Sequence, residues 1–335
     1  MSTHLSVRSC YSLLNGTMTI PNLVHQAKAL GFSALGLSDL RVMHGSLEFV
    51  HLCQKEGIQA IIGLEFDVLF DTNAYSVLCI ARDNPGYQAL MEISSKLNCD
   101  GKSIDLGVLS TYQASLFVIV YSDQSVFDQA FINDDETLIF SRMQAFKKLI
   151  PNVMLGINRQ EETYYQVQNK RLKAVLKPLG IQSLATHRIF YAVADHDEHH
   201  RVLKAIGTQK LLSDKQLVLE RYRYMLSKDE MAQLYEEDDL KMTDWVAAQC
   251  KVEWNQAQTR LPKFETPDKN LNSAQYLTQL CLAGLEKRFS NVSIDGSYRT
   301  RLKYELDVIV SMHYEDYCLI VWDFIRFAKT QGIYV

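Results

Sequence analysis

Six runs of this 335-residue sequence hold residues able to do chemistry, and four of them fall at strand ends. HLSVRSCYSLLNG, residues 4–16, places Ser6 and Arg8 at the end of a short β-rich run. Asp39 closes ALGLSD, Glu65 lies in AIIGLEFDVLF, and Arg188 and Phe190 follow SLATH. In a parallel βα barrel the C-terminal strand ends meet on one face, so these distant positions share a site. Carboxylates gathered there could hold metal ions that lower the pKa of a bound water for hydrolysis. The arginines point instead to charge-assisted pairs between Arg8 or Arg188 and Asp39 or Glu65, with capture of a phosphate or a nucleic-acid end as the alternative.

The other runs are more ambiguous. DHDEHH sets His196, His199 and His200 at helical spacing, enough to clasp one zinc ion. No acidic or cysteine ligand sits at a matching distance, so a solvated helix start is favoured, with Asp195, Asp197 and Glu198 at the positive end of the dipole. YRTRLKYELDVI gathers Arg299, Arg301 and Lys303 into a basic cluster that either touches nucleic acid or is a solvated face balanced by Glu305 and Asp307. His4 is expected to be a structural strand-end residue, and His44 a loop residue with metal ligation as its alternative.

These groups need a scaffold. Up to about residue 206, β-rich runs alternate with amphipathic runs, as parallel βα units do. A helix is expected after Thr19 and Pro21 and before Gly31; a second, SLEFVHLCQKEG, closes at Gly57. LFVIVYS, NVMLGIN and SLATHRI supply later strands. A parallel barrel is favoured over a sandwich, with an open doubly wound sheet as the alternative. After residue 206 the strands stop. Ser227 is an expected helix N-cap, LPKFETPDKN (261–270) reads as a linker, and helices are expected over 272–288, 299–312 and 316–331. The expected organisation is therefore a barrel over 1–206, a helical extension over 207–260, a linker over 261–270 and helices over 271–335.

Bulk properties exclude some classes. A net charge of −4 gives no global attraction to phosphate backbones, so nucleic-acid contact needs a local patch. The seven cysteines never form C-x-x-C, which suits reduced thiols. No signal peptide and no apolar run of membrane-spanning length is visible, so a cytoplasmic protein without membrane partners is expected.

The motifs taken in order, HLSVRSCYSLLNG, AKALGFSALGLSD, GSLEFVHLCQKEGIQAIIGLE, SLATHRIFYAVADHDEHHRVLKAIGTQK, LPKF and YELDVIVSMHYEDYCLIVWDFIRFAKTQGI, resemble the polymerase and histidinol phosphatase (PHP) domain and the start of the palm in family C bacterial replicative DNA polymerases. The family pattern runs HLHxHSxYSLLDG, ALxLTDHGNMFG, GIKPIIGxE and ATNDVHY. RVMHG in place of HGNMFG resembles the shorter alpha-type subunits of low-GC Gram-positive bacteria. The resemblance implies a distorted, TIM-like PHP barrel followed by an all-helical segment. It sets the family's metal positions on Ser6, Arg8, Asp39, Leu40, Glu65, Arg188 and Phe190. Only Asp39 and Glu65 keep ligand chemistry, so the resemblance implies a degenerate barrel that binds no metal and acts as a scaffold.

What the resemblance implies for the full-length protein is DNA-templated synthesis with magnesium, primer-template DNA, deoxynucleotides, the sliding clamp and other replisome proteins. The glycine-rich segment and palm carboxylates of the family are expected beyond Val335, so this chain alone is expected to be inactive and to self-associate through its apolar last helix. The rival readings are a PHP phosphoesterase or 3′–5′ exonuclease and a non-catalytic interaction module.

Overall fold

Strands β1 (Ala34–Leu40) and β2 (Gln59–Phe70) pair in parallel, and the helix Ser46–Glu56 connects them. Gly57, at φ +70°, ends that helix in the left-handed conformation that glycine adopts without strain. β2 then turns straight into β3 (Asn73–Ala81), which runs antiparallel to it. The two turn residues, Asp71 and Thr72, both have positive φ (47° and 63°), the twist a two-residue hairpin demands. β4 (Ile104–Asp105) pairs with β2 off the main path. β5 (Leu116–Tyr121), β6 (Met154–Ile157) and β7 (Ser183–Ala185) complete the order β1-β2-β3-β5-β6-β7.

The ring is closed by the first residues of the chain. His4 bridges Leu35 and Val7 bridges Ile189, with Gly36 N–H donating to His4 O at 2.7 Å and Arg8 N–H to Ile189 O at 2.9 Å. The result is the expected α/β, PHP-type distorted barrel. It departs from an all-parallel barrel because the β2–β3 hairpin makes β3 antiparallel to both of its neighbours. β5 is buried along its whole length, as a strand covered on both faces should be.

The structure, a computed structural model, describes residues 2–99, 103–123, 125–133, 135–158, 163–214, 217, 221–254, 262–290 and 292–335. It divides into two units, Met1–Glu253 and Trp254–Val335. The first unit runs past residue 206 because the helix Glu237–Gln249 packs onto the barrel. Val246, Ala247 and Cys250 join Leu5, Ile61, Leu78, Phe117 and Leu184 in one core, and Thr3 N–H donates to Thr243 Oγ1 at 3.0 Å. Ser227 caps the helix Lys228–Leu234 in a reciprocal box with Glu230. Thr19, by contrast, makes no capping bond; Pro21, set in the first turn of the helix Ile20–Ala29, marks its start instead.

In the second unit, helices Ser273–Arg288, Gly296–Ser311 and Glu315–Thr330 bury Leu277, Leu306 and Leu319 against one another. Phe264, from the expected linker, packs on this core, and its N–H donates to Asp316 Oδ1 at 3.0 Å. Leu261 lies outside the described residues. The last helix leaves Tyr317, Phe324 and Phe327 exposed at 54%, 70% and 61%. Among the described residues no helix is long and apolar enough to cross a membrane.

Candidate functional site at the barrel mouth

The register of β1 on β2 sets Leu40 beside Glu65, at the barrel end where the parallel strands finish. Glu65 is buried, and both oxygens of its carboxylate accept from side-chain donors. Ser6 Oγ donates to Oε1 at 2.6 Å, and the Tyr121 hydroxyl donates to the same oxygen. Arg8 donates to Oε2 through Nε at 2.8 Å and Nη2 at 2.5 Å. Burial alone would raise the pKa of Glu65, but the Arg8 and Arg188 charges and the two hydroxyls outweigh it and hold the carboxyl below its ordinary range. The Tyr121 phenol is pushed well above its usual range by burial and by the Glu65 charge, which keeps it a donor.

Asp39 is satisfied separately. Its Oδ1 accepts from Ser9 N–H at 2.7 Å and Ser12 Oγ at 2.6 Å, and its Oδ2 from Ser9 Oγ at 2.8 Å. Burial raises its pKa, and these three donors offset that only in part. Ser12 Oγ also accepts from Leu40 N–H at 2.9 Å, tying the first loop to the end of β1.

Of the pairings expected for the arginines, Arg8 with Glu65 is present. Arg188 instead stacks 3.7 Å above the Tyr121 ring and pairs with Asp123 at 3.4 Å. Asp123 Oδ2 also accepts from Asn158, whose Oδ1 accepts from Arg223 at 3.1 Å. Phe190 lies between guanidiniums, with Arg8 at 4.6 Å and Arg223 at 5.5 Å from its ring centre. A continuous network of Glu65, Arg8, Phe190, Arg223, Asn158, Asp123, Arg188 and Tyr121 therefore fills the mouth. Ser9, Ser12, Tyr121, Asp123, Asn158 and Arg223 went unrecognised in the sequence. Tyr121, Asp123 and Asn158 end or follow LFVIVYS and NVMLGIN, so the strand-end rule could have found them; Arg223 follows no strand and carried no such signal.

The expected metal positions do not fit a metal cluster. Leu40 and Phe190 carry no donor atom, Arg8 and Arg188 bring positive charge, and both oxygens of Glu65 and of Asp39 are already engaged. Among the described residues no three His, Cys, Asp or Glu side chains converge on a possible ion site.

The histidines serve the packing. His4 Nε2 donates to Leu226 O and His187 Nε2 to Tyr224 O, each at 2.9 Å. Burial drives their pKa values down to about 4 and about 3, and the neighbouring His4 and Arg223 charges lower His187 further. His200 is buried, stacks on Phe190 at 5.3 Å and donates to Asn15 O, whereas His196 and His199 lie 5.0 Å apart, and among the described residues no ligand cluster forms around them. His44 is exposed, 6.3 Å from the Tyr11 ring. Arg299, Arg301 and Lys303 are exposed on the helix Gly296–Ser311, where Arg301 pairs with Glu305.

Comparison with known proteins shows what the barrel is similar to. Residues 4–160 match the family model described as the PHP domain, and residues 275–335 match the bacterial DNA polymerase III alpha NTPase domain. Residues 4–160 thus carry the likeness to a PHP domain. The chain as a whole is similar to DNA polymerase III subunit alpha of Bacillus subtilis, at 33% identity over 98% of this chain and 30% of the relative. The same subunit of Halalkalibacterium halodurans is 31% identical over 99% of this chain and 30% of the relative, and that of Staphylococcus aureus 25% over 100% and 28%. The chain thus spans about 30% of the length of the curated relatives it matches.

Proposed function

We propose that this chain is the N-terminal part of a bacterial replicative DNA polymerase of the alpha-subunit type, and that its PHP barrel braces the polymerase body without hydrolysing phosphodiesters. The observation that carries the second half is the Arg8 guanidinium seated on Glu65, where the PHP pattern calls for a metal ligand at position 8. An arginine there supplies the positive charge a metal would supply, and fixes the carboxylate, but it cannot generate a hydroxide nucleophile. The relatives' names and the ordered match of both segments support the first half.

On this reading the complete protein extends primed DNA with deoxynucleotides and magnesium, in the cytoplasm, in contact with the clamp and other replisome proteins. Arg299, Arg301 and Lys303 are the candidate nucleic-acid contacts of this part. The 335 residues alone carry out no synthesis, and they self-associate through the uncovered face of the last helix.

The test is a pair of assays. The purified chain should release no nucleotide from single-stranded DNA with manganese or zinc, and primer extension should require the polymerase length that the relatives possess. Metal-dependent nucleotide release that disappears with Asp39→Asn would contradict the reading of the barrel.

A further inference from the structure

The opposite end of the PHP barrel, where the parallel strands begin, holds a cavity of about 430 Å³. Phe117 and Met154 open β5 and β6 there, and Arg82 follows the antiparallel β3. The lining contains two cations, Arg82 and Lys147, and no acid. The Arg82 guanidinium lies 4.9 Å above the Phe117 ring, and one of its five N–H groups is held by Ala114 O at 3.2 Å. Lys147 Nζ donates to Leu179 O and reaches Gly180 O at 3.3 Å, which fixes the ammonium in place. The side-chain amides of Asn152 and Gln182, also in the lining, have no partner among the described residues.

One wall is aromatic. Trp245 meets Phe117 edge-on at 5.7 Å and is 48% exposed, although its chain neighbours Val246 and Ala247 are buried in the barrel core. The helix is thus anchored while the indole stays open to the cavity, a costly place for a large apolar ring unless something covers it. A concave, preformed space of this size, with one planar wall, two fixed cations and spare amide groups, matches a small ligand that carries both a ring and an anion.

We propose that this cavity binds a small planar anion of the nucleotide class, its ring on Trp245 and its phosphate on Arg82 and Lys147. The site is independent of the mouth and of the assignment proposed above.

Calorimetric titration of the whole chain with adenosine monophosphate tests it, with adenosine and inorganic phosphate as partial probes. Saturable one-to-one binding is expected, weaker by about tenfold or more for either partial probe and for Arg82→Gln, since each loses a charge-assisted bond or the stacked ring. Trp245→Phe should bind more tightly than Trp245→Leu, and Arg82→Gln, a half-exposed change, keeps the test valid if the tryptophan variants fail to fold. No saturable binding by the unaltered chain, equal binding of phosphate alone, or unchanged affinity in Arg82→Gln would overturn the proposal.

Discussion

Arg8 places two N–H groups on a single carboxylate oxygen of Glu65, at 2.8 and 2.5 Å, in a pocket where the arginine side chain is 12% exposed and the glutamate 2%. The pair joins the first segment of the barrel to β2, so it closes the ring as well as filling the mouth. A buried pair gains little over an apolar replacement, but an orphaned partner is costly.

Arg8→Met should therefore destabilise the first unit by about 3 kcal/mol, because it leaves Glu65 buried and charged. Glu65→Gln should cost less, since the remaining guanidinium is nearer water. The double variant should recover part of the loss. Urea denaturation of the three variants checks the cycle, and an unaltered midpoint in Arg8→Met would show that the pair is not structural.

Acid should weaken the fold beginning near neutrality. His4 and His187 are neutral when folded, with pKa values of about 4 and about 3, against about 6.5 when unfolded. The unfolded chain then binds more protons between these limits, so their contribution is complete above pH 6.5 and falls as pH drops towards 4 and 3. Depressions from 6.5 to about 4 and about 3 correspond to roughly 3–5 kcal/mol for each buried histidine. Asp39, whose pKa is raised, works in the opposite sense and contributes near its own titration range. Denaturation between pH 7.5 and 4.5 should show this slope, reduced in His187→Gln; a flat profile would refute it.

The hairpin turn offers a gain. Thr72 holds φ +63°, unfavourable for a β-branched residue, at a position suited to glycine. Thr72→Gly should raise stability by about 0.5–1 kcal/mol, read as a higher melting temperature. A lower one would show that the turn gains more from the threonine side chain than it loses in backbone strain.

The last helix should drive self-association. Tyr317, Phe324 and Phe327 are exposed while Leu319 on the same helix is fully buried. Light scattering of the chain should show concentration-dependent association that Phe324→Glu with Phe327→Glu abolishes. A monomer at high concentration in the unaltered chain would contradict this.

What the sequence reveals follows the physics of each feature. Strand-end logic located Ser6, Arg8, Asp39, Glu65, Arg188 and Phe190, because a barrel turns sequence order into a spatial ring. The same logic failed for the partner of Arg188, since Asp123 lies two residues past Tyr121 and which neighbour an arginine chooses depends on side-chain packing. The antiparallel β3 was hidden because Asp71-Thr72 is not one of the glycine-containing pairs that announce a tight hairpin. Residues beyond 206 read as a separate extension because helical periodicity shows that a face is buried, never against what; the helix Glu237–Gln249 spends that face on the barrel.

The most direct test of the central claim is metal content and metal titration of the purified chain at neutral pH. With Arg8 on Glu65 and Asp39 caged by Ser9 and Ser12, manganese and zinc should be far below one ion per chain, and calorimetry should show no saturable binding at the mouth. Two or more ions bound per chain, lost in Asp39→Asn or Glu65→Gln, would contradict the account.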